Sequence, residues 1–232
     1  LAVGLLVSSF FILMQAQAEP VQPTFVRSAS TVMSVPIGLT LSPDGTKIHF
    51  AKYGSGTNLY QYDLSIPFNV SSIVSSSEVI LNVDSTDAMG SRKIEDLTFN
   101  GDGTKVYAIG FDGQMTVHSL STPYDLSNAT QDADDGINWK TDYAGEGGSD
   151  SNSVSPTAAQ GHRIHGMRFN NDGTKMFLTD SYGTVGVIEY NLSTPYLPGS
   201  ASFGNFFAIT ENANEIQDID FDDDGTRMYV IE

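Results

Sequence analysis

The sequence predicts an all-β fold assembled from a repeated four-stranded antiparallel unit, and three observations carry that prediction. A turn reading Asp-Gly-Thr followed by Lys or Arg occurs four times, at Asp44, Asp102, Asp172 and Asp224, after intervals of 58, 70 and 52 residues. Strand-like runs, alternating apolar with polar or rich in β-branched and aromatic residues, flank every copy. No helical periodicity separates the copies. An interval of this size is one supersecondary unit, with loops absorbing the variation in length.

Each element of the unit follows in order. Leu39 and Leu41, Leu97 and Phe99, Met167 and Phe169, and Ile219 and Phe221 alternate with polar residues before the turn, as strand A requires. Position i of the turn is Ser42, Asn100, Asn170 or Asp222, whose side chains can cap it, and Gly follows Asp at i+3, free to take positive φ. After the turn, TKIHFAK, TKVYAIG, TKMFLTD and TRMYVIE read as strand B. NLYQYDLS, QMTVHSLS and VGVIEYNLS form strand C. Beyond turns at Pro67, Pro123 and Pro195, the runs EVILNV, INWKTD and FFAIT are expected as strand D.

Four such strands per repeat define a β-propeller blade. A β-solenoid would need shorter coils, and a sandwich would not repeat its turn. The expected architecture is an all-β propeller of four-stranded antiparallel blades, read as a truncated ring of three full blades and part of a fourth. TFVRSAS, residues 24–30, is expected as the outer strand of a closing blade.

A calcium loop is the competing reading of the turn, since Asp220, Asp222, Asp224 and Gly225 match the first half of D-x-D-x-D-G. Ile231 stands where the later acidic ligand belongs, and Arg168 occupies the position of Asp220 in the preceding copy. The turn is therefore read as structural.

Composition bounds the surroundings. The chain has 232 residues, 40% hydrophobic and 10% aromatic, ample for a packed core, and its 28 acidic against 11 basic residues give a net charge of −17. That charge repels nucleic acid and anionic membranes, and favours cations or cationic partners. Cysteine is absent, which excludes disulfides and thiol catalysis. The apolar opening to Met14, then Ala16, Gln17 and Ala18, reads as a secretory signal with cleavage after Ala18. The expected organisation is a signal at residues 1–18, its start truncated, and a propeller domain at 19–232. The location expected is secreted or periplasmic, without membrane insertion after cleavage.

The repeats resemble those of the YVTN and TolB-like (PD40, WD40-like) propeller proteins, marked by an SPDGTK turn and a YDLS-like strand. Here these are Ser42 to Lys47 with Tyr62 to Ser65, Asp102 to Lys105 with Ser119 to Ser121, and Asp172 to Lys175 with Tyr190 to Ser193. The likeness covers nearly all of residues 36–232. It implies the architecture and leaves the reaction open, since such repeats occur in lactonase-like enzymes, periplasmic scaffolds and surface proteins.

Ligands of propellers approach the channel mouth through the D to A and B to C loops. On this chain the candidates are Glu95, Asp96, His162, His165, Gln217 and Asp218 from the first set, with Tyr53, Asp112 and Tyr182 from the second. The seventh residue before each turn Asp is Ile37, Glu95, His165 or Gln217, and variation there amid regular neighbours suits either a site grafted on a repeat or a solvated rim. His162 and His165 sit three apart on an extended strand, so their rings point to opposite faces and no zinc site is assigned. His49 and His118 are expected to be packing or surface residues. No nucleophile-elbow, Walker or dinucleotide motif is present.

Two functions fit. Regular blades without a catalytic signature favour a non-catalytic binding or scaffold module for a protein or glycan. The alternative is a lactonase-like or other hydrolytic enzyme with a cation-assisted site at the channel mouth, where a divalent cation would be the cofactor. The Gly/Ser-rich stretch 141–161 is expected as a surface insertion, and the sequons at Asn69, Asn128 and Asn191 as turn chemistry. Arg168 and Asp220 are expected to attract each other across adjacent blades.

Overall fold

The computed structural model describes residues 36–52, 57–83, 94–110, 115–132, 163–181, 185–209, 215–222 and 225–231. Strands β1 (Pro36–Leu41), β2 (Lys47–Lys52), β3 (Asn58–Leu64) and β4 (Ile73–Asn82) form blade 1. Blade 2 comprises β5 (Ile94–Phe99), β6 (Lys105–Gly110), β7 (Met115–Leu120) and β8 (Ala129–Gln131). Blade 3 comprises β9 (Met167–Phe169), β10 (Lys175–Asp180), β11 (Gly186–Leu192) and β12 (Ala201–Ala208). A hairpin of β13 (Asp218–Phe221) and β14 (Met228–Ile231) begins a fourth unit. Every sheet runs antiparallel in chain order, and β1, β5, β9 and β13 adjoin one another as the innermost strands. This is an arc of a β-propeller.

The core lies between successive blades. Ala51, Leu59 and Val83 of blade 1 pack with Ile94, Leu97 and Val106 of blade 2. Tyr107, Ile109 and Val117 of blade 2 meet Met167, Met176 and Ile188 of blade 3. Phe177 and Val187 meet Ile219 of the hairpin. The middle strands are thus covered on both faces and read as nearly continuous apolar runs, whereas outer strands β4 and β12 are largely open to solvent.

The repeated turn is held by its own side chains. Gly45, Gly103, Gly173 and Gly225 take φ values of 68°, 72°, 70° and 69°. Ser42 Oγ and the Oδ1 atoms of Asn100, Asn170 and Asp222 accept the N–H of the Lys or Arg five residues on, at 2.8 to 2.9 Å. Oδ1 of Asp44, Asp102 and Asp172 accepts both the N–H and the hydroxyl of the following Thr. These bonds, with one from the Ser42 hydroxyl at 2.6 Å, hold the Asp44 carboxyl down at about 2. Three of the turn carboxylates are therefore engaged inside their own turn, as a structural role requires; Asp224 lies outside the described residues. The Lys that ends the motif pairs with an acid beside strand C or D: Lys47 with Asp63 at 2.9 Å, Lys105 with Asp132 at 2.5 Å, Lys175 with Glu189 at 2.6 Å.

A second device closes the same end of each blade. The residue after each loop proline, Phe68, Tyr124 or Tyr196, is left-handed with φ of 58° to 59°. Its N–H donates to the turn glycine, at 2.9 Å in all three blades, and its ring covers that glycine's open face. A single 3-10 turn follows, Val70–Ser72, Leu126–Asn128 or Pro198–Ser200, the first two capped by the side chains of Asn69 and Asp125. It passes the chain directly into strand D, so D starts earlier than the sequence suggested. In blade 2 the described outer strand is Ala129–Gln131, and INWKTD lies outside the described residues. So do residues 1–18, 24–30 and 141–161.

Candidate functional site

The first residues of the inner strands converge on a cavity of about 170 Å³ at the opposite end of the blades from the Asp-Gly turns. Ile37, Gly38, Glu95, Asp96, His165, Gln217 and Asp218 line it. It brings together the repeat position of Ile37, Glu95, His165 and Gln217, and the position that follows. Of the other candidates, Tyr53, Asp112, His162 and Tyr182 lie outside the described residues.

Position six before the turn Asp alternates Gly38, Asp96, Gly166, Asp218, and the alternation is steric. A Cβ on Gly38 would fall 2.7 Å from the Asp96 Cα, and one on Gly166 would fall 2.9 Å from the Asp218 Cα. Glycine on one blade therefore admits the backbone of an aspartate on the next.

Asp96 is 1% exposed and joins two blades. Its Oδ1 accepts the Leu97 N–H at 2.8 Å, while Oδ2 accepts the Met167 N–H and Arg168 Nη1, each at 2.8 Å. Burial pushes its carboxyl up to about 6, against the pull of Arg168 and the two N–H groups and aided by the Asp218 charge. Burial opposes the charge of Arg168 as well, yet Asp96, Asp218 and Asp220 together raise its pKa.

The expected pairing of Arg168 with Asp220 is thereby amended. Nε lies 3.9 Å from Asp220 Oδ1, but the Asp220 side chain is 76% exposed. The shorter contacts are with Asp96 at 2.8 Å and Asp218 at 3.2 Å. The guanidinium thus lies closer to the position nearest the mouth than to its own repeat equivalent.

His165 sits between two glutamates. Nδ1 lies 3.4 Å from Glu95 Oε2, and Nε2 lies 3.0 Å from Glu215 Oε1. The imidazole is 6% exposed, with Nε2 itself buried, whereas Glu215 is 44% exposed and reaches solvent. The His165 N–H and the Gly166 N–H approach the Thr179 hydroxyl at 3.3 and 2.8 Å, which fixes the backbone from which the ring projects. Glu215 was not foreseen, because it lies ahead of β13 at no repeated position. Among the described residues no three His, Asp or Glu side chains converge as a metal site. Of the packing and surface places open to the other two histidines, both take buried ones: His49 meets the Tyr124 carbonyl of blade 2 at 2.9 Å, and His118 lies on β7.

Fold and mouth together define a β-propeller with an acid and histidine cluster at one channel opening. No protein-family profile and no curated protein matches the chain. Solved structures do. A periplasmic gluconolactonase of Pseudomonas aeruginosa superposes with a TM-score of 0.50 at 12% identity, over 84% of this chain and 46% of its own. Proteins of Bacteroides uniformis and Bacteroides fragilis, assigned as 6-phosphogluconolactonases, superpose with the same score and identity, over 84% of this chain and 46% and 47% of theirs. This chain thus spans less than half of each, and the likeness establishes the fold.

The lactonase names of these neighbours stand against the expectation of a non-catalytic binding or scaffold module, which is corrected accordingly. The lack of a catalytic motif in the sequence is no argument for that expectation. A propeller site draws one or two residues from each blade, some 50 to 70 positions apart by the repeat spacing, so it leaves no contiguous signature.

Proposed function

We propose that the channel mouth is the hydrolytic site of a lactonase-like enzyme, and the observation that carries the reading is the Glu95–His165–Glu215 arrangement at the cavity. Glu95 orients the imidazole from one side. Glu215, the exposed carboxylate 3.0 Å from Nε2, takes a proton from water as the water oxygen bonds to the lactone carbonyl carbon, and the imidazole held between the two glutamates fixes its position. The acyl C–O bond then breaks, the ring oxygen takes a proton, and a hydroxy acid leaves.

The DGTK turns and YDLS-like strands support assigning the repeats to the YVTN and PD40 type. The apolar start ending at Ala18 and the periplasmic neighbour support export. Among the described residues no helix is long and apolar enough to cross a membrane.

A panel of five- and six-membered lactones, glucono-1,5-lactone among them, assayed by pH-stat tests the reading. His165→Gln should lower kcat/KM by about 10²- to 10⁴-fold with an unchanged melting curve. Hydrolysis no faster than the uncatalysed rate across the panel would refute the reading, as would a fully active H165Q.

A further inference from the structure

The Glu95–His165–Glu215 row draws on three successive units of the arc, and the end of β10 reaches two of its three backbones. Thr179 is fully buried. Its hydroxyl accepts the Gly166 N–H at 2.8 Å and the His165 N–H at 3.3 Å, and its own N–H donates to the Gly166 carbonyl at 3.0 Å. Two residues on, Ser181 is also buried. Its hydroxyl accepts the Ile216 N–H at 2.7 Å and donates to the Ile216 carbonyl at 3.3 Å, while its N–H donates to the Arg163 carbonyl at 3.0 Å. One short run thus holds both the strand start that carries His165 and the segment that carries Glu215.

These two hydroxyls depart from the repeat. Counted from the turn Asp, the positions of Thr179 and Ser181 hold Ala51 and Tyr53 in blade 1, and Ile109 and Phe111 in blade 2. Ala51 and Ile109 are buried core residues. A hydroxyl set in such a place gives up water and must find its partners in the fold. Of the three blades, only blade 3 carries hydroxyls there, and blade 3 is the one that brings a histidine to the mouth. The 3.0 Å separation of His165 Nε2 and Glu215 Oε1 needs such a device, because β9 and β13 belong to different sheets and no ladder joins them.

We propose that Thr179 and Ser181 are positioning residues for the hydrolytic site, an inference that rests on the lactonase-like reading of the mouth. Thr179 acts through the His165 backbone, and Ser181 through Ile216 and the adjoining Glu215. Because the Ser181 hydroxyl engages both polar groups of Ile216, it fixes the direction of the chain at Glu215 as well as its distance. The carboxylate must stay within reach of the attacking water, and a displacement of about 1 Å can cost roughly 10²-fold in rate.

The test uses the 232-residue chain with Ser181→Ala and Ser181→Thr, each checked for an unchanged melting curve. On the lactone of the panel that the wild-type chain hydrolyses fastest, Ser181→Ala should lower kcat by roughly 10- to 100-fold with KM held within about twofold. Ser181→Thr keeps the hydroxyl and should recover most of the loss. A second readout needs no turnover. Diethyl pyrocarbonate modifies accessible imidazole nitrogens, so Ser181→Ala should uncover the buried Nε2 of His165 and speed its modification at least about fivefold. His49 and His118, buried elsewhere in the fold, should keep their wild-type rates. Thr179→Val should give the same selective pattern, which keeps the readout available if one variant does not fold. Wild-type kcat in Ser181→Ala, or Ser181→Thr as impaired as Ser181→Ala, would overturn the proposal. So would an unchanged His165 rate, or equal acceleration at all three histidines, even where no lactone of the panel is hydrolysed; that last failure by itself refutes the hydrolase reading instead.

Discussion

Arg168 of β9 places Nη1 2.8 Å from Oδ2 of Asp96 on β5, tying blade 3 to blade 2 through a carboxylate that is 1% exposed. Removing one partner of such a pair leaves an uncompensated buried group, at a cost of about 3–5 kcal/mol. In double-mutant cycles, the Asp96→Asn and Arg168→Met coupling should reach at least about 1 kcal/mol in unfolding free energy. The Arg168→Met and Asp220→Asn coupling should stay below about 0.5 kcal/mol, since Asp220 is solvated and 3.9 Å away. Equal coupling in the two cycles would contradict the assignment of Asp96 as the principal partner.

The glycines opposite the aspartates make a graded prediction. Gly166→Ala forces its Cβ against the Asp218 backbone at 2.9 Å, which cannot yield without moving β13. A loss of about 1–3 kcal/mol is expected, as for other overpacked positions. Gly101→Ala meets the Tyr196 hydroxyl at 2.7 Å, the far end of a side chain that can swing aside, so it should cost less. Chemical denaturation of the two variants checks the order, and a G101A as damaging as G166A would argue against backbone contact as the cause.

Two buried groups set opposing pH dependences. Burial lowers His49 from 6.5 to about 4, so acidification through that window protonates the unfolded chain first and withdraws stability from the native state. Burial lowers the pKa of His118 too, adding to the loss. Asp96 works the other way. Its native carboxyl takes a proton near 6 and its unfolded one near 3.8, so acidification across that interval favours the native state. The two effects offset between about pH 4 and 6. Melting curves from pH 7 to 4 should therefore fall more steeply for Asp96→Asn than for wild type, and less steeply for His49→Gln. Parallel curves for all three proteins would show that neither group titrates as described.

What the sequence made legible was what repeats in register. The turn, strands A, B and C, and the convergence of positions 37, 95, 165 and 217 all follow from aligning four Asp-Gly pairs. In blade 2 the capped 3-10 turn leads straight into Ala129–Gln131, a start of strand D that β-propensity did not mark, and INWKTD lies outside the described residues. The Gly and Asp alternation was visible at positions 38, 96, 166 and 218, but its meaning depends on which strand faces which across the interface. Glu215 had no signal at all, since it stands at no repeated position and meets His165 only through the tertiary fold.

Pro67, Pro123 and Pro195 are each followed by Phe or Tyr, a recurrence whose meaning only the folded backbone supplies. The conformation of these aromatics yields the last prediction. Tyr196 holds φ at 58°, which disfavours any residue with a Cβ by roughly 1–2 kcal/mol, and it persists because three contacts over-determine it. Its N–H donates to Gly173 at 2.9 Å, its ring covers that glycine, and its carbonyl accepts the Tyr107 hydroxyl of blade 2 at 2.6 Å. Tyr196→Phe keeps all three and should cost under about 1 kcal/mol, losing only the hydroxyl bond to the Asn171 carbonyl. Tyr196→Ala keeps the strained backbone and loses the ring, so it should be the most damaging. Tyr196→Gly also loses the ring but relieves the strain, and should recover about 0.5–1 kcal/mol relative to Ala despite its freer unfolded chain. Tyr107→Phe removes the donor from across the blade interface and should cost about 1–2 kcal/mol. Urea unfolding of the four variants gives the ranking, and an Ala variant as stable as the Gly variant would mean that the left-handed backbone carries no strain at Tyr196.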